Sequence, residues 1–188
     1  MSGCVIINGS PRAGGNSDAI TELAVRELTS AGVAPEAFYV RDHAIAPCIG
    51  CDRCKKTDVC VFQDSAAEII GKLLKADAAL LIAPIYYTSV PGTVKVLIDR
   101  FYVNYNFERG LKAPNPARKF GVVFTYGGTP DAEVMKAVDL VNYAFRDLGC
   151  GAQRSVLCGM NVEKTSFSAN GAYRRRVCDL TAWLSQGG

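Results

Sequence analysis

Short, continuously apolar runs alternate with segments of helical periodicity along this chain of 188 residues. The runs lack the in–out alternation of a half-exposed sheet, so they predict strands that are buried on both faces. These strands are Cys4–Ile7, Ala37–Val40, Ala78–Ala83, Phe120–Phe124 and Ser155–Cys158. The helical segments cover about Ser17–Ala31, Ser65–Lys75, Thr93–Tyr102, Asp131–Leu148 and Ala172–Ser185.

Strands that alternate with helices in this way predict a parallel sheet with right-handed crossovers and helices on both faces. Because the strand count stops at five, we expect the doubly wound, flavodoxin-like order 2-1-3-4-5 rather than a longer six-stranded dinucleotide fold. The sequence contains no internal repeat, low-complexity stretch or linker. We therefore predict an α/β protein with a single domain over residues 1–188 and a cysteine-rich loop at residues 47–62.

Composition and charge limit the cellular locations and binding partners to be expected for this protein. A net charge of +3 is too small to indicate nucleic-acid or membrane binding. The N-terminus has no basic region followed by a long apolar stretch, and the longest apolar run, Ala76–Ile85, is too short to span a bilayer. Eight cysteines in such a chain favour a reducing cytoplasm with metal-binding or redox thiols over a secreted disulfide scaffold.

The first strand leads into a loop of small, hydroxyl and amide residues, and this loop enters the first helix. Backbone amides and a helix N-terminus form a natural anion site, to which Arg12 would add a positive charge. We expect further hydrogen bonds from Ser10, Asn16 and Ser17. The loop lacks both the triphosphate-loop ending and the G-x-G-x-x-G fingerprint, so a monophosphate is favoured. The alternative is an ordinary Ser-capped helix after a glycine turn.

Two more strand ends carry unusual loops, and the carboxyl ends of parallel strands meet at one edge. Two prolines and a glycine make the loop after the third strand rigid, and its two tyrosines suit a flat heterocycle, although surface packing is the alternative. The fourth strand ends in a glycine turn that permits close backbone approach. A phosphate loop beside two such loops predicts a mononucleotide with a planar ring, which among redox cofactors means FMN. The residues concerned are Pro84, Ile85, Tyr86, Tyr87, Gly127 and Gly128.

Half of the cysteines crowd into one short segment with the spacing C-x2-C-x2-C-x5-C. They are Cys48, Cys51, Cys54 and Cys60. A compact run of this kind is typical of an iron–sulfur cluster, whereas structural zinc sites usually separate two ligand pairs in sequence. Free thiols, a redox-active disulfide and zinc stay open as alternatives. Neighbouring basic residues are expected to favour thiolates. The other four cysteines, Cys4, Cys150, Cys158 and Cys178, are predicted to be small buried hydrophobes.

In combination, these motifs resemble the NADPH-dependent FMN reductase superfamily, whose members have a flavodoxin-like fold. The resemblance rests on Gly9-Ser-Pro-Arg-x-x-Gly-Asn16-Ser17, Pro84-Ile-Tyr-Tyr87 before Pro91-Gly92, Lys95-x-x-Ile98-Asp99-Arg100, and Gly127-Gly128. The four-cysteine run, followed by Val61-Phe-Gln-Asp64, is similar to the iron–sulfur flavoprotein branch. The resemblance implies that the first loop holds the FMN phosphate, the second contacts the isoalloxazine ring, and the third lies beside the flavin.

The resemblance also implies a function. NAD(P)H is expected to pass a hydride to FMN, which then reduces an unidentified small-molecule or protein acceptor, through a 4Fe–4S cluster if the cysteine loop holds one. No side chain is assigned a catalytic role, because hydride transfer to a flavin needs no side-chain acid or base. A homodimer or homotetramer is expected. The alternatives are a flavin electron carrier reduced by ferredoxin and a thiol redox sensor without a cluster.

Overall fold

A computed structural model describes residues 3–159 and 166–186. Its strands are β1 (Cys4–Asn8), β2 (Pro35–Tyr39), β3 (Ala78–Pro84), β4 (Tyr105–Asn106), β5 (Gly110–Leu111), β6 (Asn115–Tyr126) and β7 (Cys150–Gly159). Five of them form a parallel sheet in the order β2-β1-β3-β6-β7, while β4 and β5 pair as a separate antiparallel hairpin. The predicted α/β fold and the order 2-1-3-4-5 are therefore confirmed, since the hairpin lies outside the main sheet.

The helices are α1 (Asn16–Ser30), α2 (Arg53–Thr57), α3 (Ser65–Lys75), α4 (Gly92–Arg100), α5 (Asp131–Arg146), α6 (Ser166–Ala169) and α7 (Gly171–Ser185). Each of the five predicted helices is found with ends within two residues of its expected place. The helix predicted to reach Tyr102 ends at Arg100 and continues as a 3-10 turn over Phe101–Asn104. Sequence periodicity missed α2, α6 and the β4–β5 hairpin, which are all too short to show a period.

Buried residues alternate strictly between the two faces of the sheet. In β1, Val5 and Ile7 join the core under α3, α4 and α5, whereas Cys4 and Ile6 join the core under α1 and α7. All seven residues of β3 are buried, with the same alternation. This two-sided burial explains why the central strands read as continuous apolar runs, and it confirms that helices cover both faces. The edge strands β2 and β7 are partly exposed, so the prediction that all five strands are buried on both faces is wrong for these two.

The strand β6 begins five residues before its predicted start, because two charged residues interrupt the apolar pattern. Arg118 and Lys119 are both buried in β6, and their side chains end on backbone carbonyl groups. Arg118 donates to the carbonyl oxygens of Ala76, Leu148 and Leu74, while Lys119 donates to those of Trp183 and Gln186. A strand can therefore accommodate buried cations whose donors are satisfied by distant carbonyl groups, and the sequence does not show those partners.

Among the helices in the described ranges, none is long and apolar enough to cross a membrane. The predicted single domain over residues 1–188 extends beyond the described residues at both ends and stays a prediction.

Candidate cofactor site and cysteine loop

The three loops that the sequence singled out follow three neighbouring strands. The register pairs Asn8 of β1 with Ile82 of β3, and Pro84 of β3 with Thr125 of β6. Two backbone bonds continue this pairing past the strand ends, from Gly9 N to the Ile82 oxygen at 2.8 Å and from Ile85 N to the Thr125 oxygen at 2.9 Å. The loops therefore leave the sheet side by side at its carboxyl edge.

The first loop ends at the N-terminus of α1. Gly15 is the N-cap residue and no side chain caps the helix, so its positive dipole end is left for another group. Arg12 lies exposed on the same loop. The predicted donors Ser10 and Ser17 are buried, and the Ser10 hydroxyl donates to the Arg12 carbonyl oxygen at 3.0 Å. The side-chain oxygen of Asn16 accepts from the backbone N–H of Phe167 at 3.2 Å, which ties the loop to α6.

The carboxylate of Asp18, which the sequence analysis did not single out, holds the first loop in place through hydrogen bonds. Asp18 Oδ2 accepts from Gly14 N at 2.7 Å, and Asp18 Oδ1 accepts from Asn8 Nδ2 at 2.8 Å. The Arg41 guanidinium, which follows β2, donates to both carboxylate oxygens at 2.8 and 3.0 Å. Thus one partly buried ion pair joins the ends of β1 and β2 to the first turn of α1.

The electrostatics of Asp18 follow from these contacts. Burial alone would raise the pKa of the Asp18 carboxyl, but the hydrogen bonds from Arg41, Gly14 and Asn8 and the Arg41 charge outweigh it, so the pKa lies below its ordinary value. Asp18 is therefore ionised over the physiological pH range, and its charge is neutralised by Arg41. The exposed Arg12 has no such carboxylate partner among the described salt bridges and can serve an incoming anion.

The second loop is a tight turn with two residues in the left-handed region. Tyr86 and Ser89 exchange backbone hydrogen bonds at 2.8 and 3.0 Å, and Tyr87 and Thr88 between them have φ of 48° and 61°. Such a turn normally contains Asn-Gly, because both central residues have positive φ. A tyrosine and a β-branched threonine at these positions therefore strain the backbone. The turn leaves the Tyr87 side chain fully exposed, with Tyr86 exposed and Ile85 buried beside it.

The third loop begins after Tyr126, the last residue of β6. The Tyr126 hydroxyl donates to Asp131 Oδ1 at 2.6 Å, which links the strand to the first turn of α5 across the loop. Burial, the hydrogen bond and the Asp131 charge raise the pKa of Tyr126 well above its ordinary value. Gly127 is half-buried and Gly128 is exposed, with open space where a Cβ of Gly128 would lie. This backbone is thus accessible at the edge shared with the other loops.

The four clustered cysteines line one small pocket together with Phe62 and Tyr102. Cys48 and Cys51 are exposed, Cys54 and Cys60 are half-buried, and each of the eight thiols, all in the described ranges, is free. No three His, Cys, Asp or Glu side chains of the described residues are close enough together to hold a metal ion. The four thiols are donors that a cluster accepts and they share one pocket, but they would have to move closer together to bind it.

The cysteine loop docks on the β4–β5 hairpin and on the 3-10 turn before it, through Lys55. Its ammonium donates to the carbonyl oxygens of Tyr102 and Tyr105 and lies 3.2 Å from the centroid of the Tyr102 ring. In return, Asn106 Nδ2 donates to the Lys55 carbonyl oxygen at 3.1 Å, and Phe107 covers the ammonium with its ring. Tyr102, Tyr105 and Phe107 thus contact the cysteine loop of their own chain through Lys55.

At Cys54, burial affects the pKa of the thiol more than the basic neighbours do. Burial raises the pKa of the Cys54 thiol, and the nearby Cys60 and Cys48 add to this against the lowering effect of Lys55 and Lys112. The basic residues therefore do favour the thiolate of Cys54, as expected, but burial outweighs their effect on its pKa. Outside the loop, burial raises the pKa of Cys4 and Cys158 to about 12 and that of Cys150 to about 11, while Cys178 is half-buried.

Both ends of the cysteine loop are held by one buried arginine from α4. Arg100 Nη1 donates to the Ala46 carbonyl oxygen at 2.8 Å and to Asp64 Oδ2 at 2.9 Å, and Nη2 donates to the Phe62 carbonyl oxygen at 3.0 Å. Asp64 also accepts from the backbone of Ala46 and Ala66, so it caps α3 as well. The loop is thereby closed at its base before any ligand is bound.

Parallel sheets of this order bind ligands at the carboxyl edge where the strand order reverses, and the reversal here lies between β1 and β3. The fold and this edge define a flavodoxin-like α/β protein. The model of the NADPH-dependent FMN reductase family matches residues 4–150, and the chain belongs to that family. Membership confirms the resemblance to the FMN reductase superfamily that the sequence motifs indicated.

Individual relatives agree with the predicted branch. An iron–sulfur flavoprotein of Methanosarcina thermophila is 29% identical over 136 residues, which cover 72% of this chain and 69% of that protein. One from Archaeoglobus fulgidus is 32% identical over 128 residues, which cover 66% of this chain and 56% of that protein. The chain thus spans between about half and two thirds of the length of these relatives. The structure of an NAD(P)H:quinone oxidoreductase from Methanothermobacter marburgensis covers all of both chains with a TM-score of 0.78 at 17% identity, which shows the shared fold.

Proposed function

We propose that the chain binds FMN at the edge formed by the three loops and that NAD(P)H reduces the bound flavin. The observation that carries this proposal is the uncapped N-terminus of α1 beside the exposed Arg12, in a chain of the FMN reductase family. The residues assigned to the flavin are Ser10, Arg12, Asn16, Ser17, Pro84, Ile85, Tyr86, Tyr87, Gly127 and Gly128.

Each loop has a separate task in this proposal. The amides at the start of α1 and the Arg12 guanidinium hold the phosphate, while the Asp18–Arg41 pair keeps the loop in shape beneath them. The strained Tyr87–Thr88 turn presents an aromatic ring to the flavin or to the nicotinamide. Bound FMN would supply the hydride acceptor for the nicotinamide, and the three loops would supply position and exclusion of water.

We further propose that Cys48, Cys51, Cys54 and Cys60 hold a 4Fe–4S cluster. The support is the spacing of the thiols, their common pocket and the similarity of the chain to iron–sulfur flavoproteins. Such a cluster would let a two-electron hydride donor supply a one-electron acceptor, whether a small molecule or a protein. The homodimer or homotetramer and the cytoplasmic location stay predictions.

Iron and flavin measured on one anaerobic preparation test both parts of the proposal. We expect FMN in the protein as purified, or after reconstitution, together with iron and inorganic sulfide. Cys51→Ala should lose the iron and keep the FMN, whereas the control Cys178→Ala, outside the loop, should keep both. Colourless protein that takes up no FMN would overturn the flavin site, and a yellow protein without iron would overturn the cluster.

A further inference from the structure

A cavity of about 250 Å³ lies between the cysteine loop, α3 and the 3-10 turn after α4. None of the residues assigned to FMN lines it. An apolar cavity of roughly 150 Å³ can hold benzene, so this one has room for a substituted single ring. Much of its wall is apolar and comes from Val59, Ala67, Ile70, Leu74 and Val103.

Two side chains of this wall each keep one buried polar atom without a partner. Arg100 donates from both terminal nitrogens to the base of the cysteine loop, but its Nε has no acceptor among the described residues. Asn104 donates from Nδ2 to the Asp147 carbonyl oxygen at 2.5 Å, while its Oδ1 has no donor within the same residues. The Asp147 bond fixes the orientation of the amide, because a carbonyl oxygen can only accept.

The wall therefore offers an unused donor and an unused acceptor that lie four positions apart in one continuous stretch. The helix α4 ends at Arg100 and passes directly into the 3-10 turn that ends at Asn104. Arg100 is 2% exposed and Asn104 is 0% exposed, so bulk water does not satisfy either atom. Buried polar groups without partners are destabilising. A group between the two side chains that accepts from one and donates to the other would satisfy both.

A hydroxyl group meets both requirements with a single oxygen, which can accept from Arg100 Nε–H and donate to Asn104 Oδ1. A ketone or an ether oxygen would leave Asn104 Oδ1 without a donor, and a carboxylate would place a second acceptor against it. A bound water needs two to four polar partners, and an apolar wall supplies few of them. The cavity thus favours a molecule with one hydroxyl group on a hydrocarbon body.

We propose that this cavity is a second binding site of the protein and that it takes a small, uncharged phenol with a single ring. The phenol hydroxyl bridges Arg100 Nε and Asn104 Oδ1, and the ring packs against the apolar residues of α3. The inference goes beyond the proposed oxidoreductase and depends on neither FMN nor a cluster, although Cys60 also lines the cavity. Its failure would leave both of those proposals untouched.

Phenol itself is the probe, and toluene, which has a similar shape and no hydroxyl group, is the matched control ligand. In an NMR titration of the purified 15N-labelled protein, we expect saturable shifts of the Gly71 backbone signal and of the Asn104 side-chain amide signal. Both residues line the cavity. The absence of saturable phenol binding, or shifts confined to residues outside the cavity wall, would overturn the inference.

Asn104→Leu removes the acceptor at nearly constant size. Because the phenol hydroxyl then loses its partner, we expect the Kd for phenol to rise by about tenfold while the Kd for toluene stays the same. The control is Asn142→Leu, since Asn142 Oδ1 is also buried without a partner in the described part of the chain but does not line this cavity. Equal phenol binding by wild type and Asn104→Leu contradicts the bridge.

A third variant covers the case in which Asn104→Leu does not fold. Ala67→Phe places a ring in the cavity from α3 and leaves both polar side chains in place. We expect this variant to lose phenol binding, while its thermal unfolding in the absence of phenol shows that the fold is kept. A folded Ala67→Phe protein that binds phenol as wild type does would refute the site.

Discussion

At the scale of single residues, the site depends on partners that are distant in sequence. Asp18 and Arg41 lie 23 positions apart, and neither belongs to a motif that the sequence made visible. The loop motif predicted Ser10, Arg12, Asn16 and Ser17 from their residue types and position after a strand. It could not predict that the Ser10 hydroxyl would donate to a backbone carbonyl group within the same loop, because this bond depends on the path of the backbone.

Replacing Asp18 with Asn should destabilise the protein. The change leaves the half-buried Arg41 without its counter-charge, so we expect a loss of roughly 1–3 kcal/mol in the free energy of unfolding. The control is Asp42→Asn, because Asp42 is an exposed carboxylate 3.9 Å from the same guanidinium. Urea unfolding at neutral pH measures both variants. Equal losses in the two would contradict a special role for Asp18.

The same ion pair gives the wild type a specific dependence of stability on pH. Because the folded pKa of Asp18 lies below the value of about 3.9 in the unfolded chain, the pair stabilises the fold fully above that value. Stability from this group is lost as the pH falls through the folded pKa. We expect the difference in unfolding free energy between wild type and Asp18→Asn to shrink below about pH 4. A difference that stays constant to lower pH would contradict the assignment.

Arg12→Ala should weaken FMN binding without weakening riboflavin binding. A charge-assisted hydrogen bond contributes roughly 1.5–3 kcal/mol, so we expect the Kd for FMN to rise by about 10- to 100-fold. Riboflavin lacks the phosphate and serves as the internal control. Fluorescence titration of flavin into the flavin-free protein gives both constants. A parallel loss for the two flavins would place Arg12 at the ring rather than at the phosphate.

At the scale of elements, close packing fixes how α4 sits beside the phosphate loop. A Cβ on Gly9 would lie 2.3 Å from Val94 Cγ2 of α4, so only glycine fits there. We expect Gly9→Ala to reduce stability by about 1–3 kcal/mol through overpacking. Gly71→Ala is the control, since Gly71 lies within α3 with open space around it and should gain about 0.5–1 kcal/mol. Thermal unfolding measures the stability of both variants. A Gly9→Ala variant as stable as the wild type would contradict the close approach of Gly9 to Val94.

For the strained turn of the second loop, we expect a substitution that increases the stability of the protein. Thr88→Gly relieves a left-handed backbone conformation and should stabilise the flavin-free protein by about 1 kcal/mol. Ser89→Gly, one residue further at an ordinary φ, should give no gain. If Thr88→Gly stabilises the fold but weakens FMN binding, the strain belongs to the function. A variant that is less stable than wild type would show that the turn is not strained.

At the scale of the whole molecule, the fold could be predicted from the sequence, whereas the contacts within it could not. Continuous apolar runs and helical periods predict the sheet, its order and both helix layers because each reflects burial on one or two faces. The three loops could be placed at one edge because parallel strands share their direction. The docking of the cysteine loop through Lys55 and Arg100 escaped prediction, because its partners lie more than 30 residues away along the chain.

The proposed oxidoreductase is tested most directly by the visible flavin absorption of the anaerobic, FMN-loaded protein before and after adding NADPH or NADH. Hydride transfer at the three-loop edge predicts that at least one nucleotide bleaches the flavin rapidly and stoichiometrically. Arg12→Ala should bleach only to the extent that it still binds FMN. A flavin that stays oxidised with both nucleotides, yet is reduced by reduced ferredoxin, would contradict the account and make the chain an electron carrier.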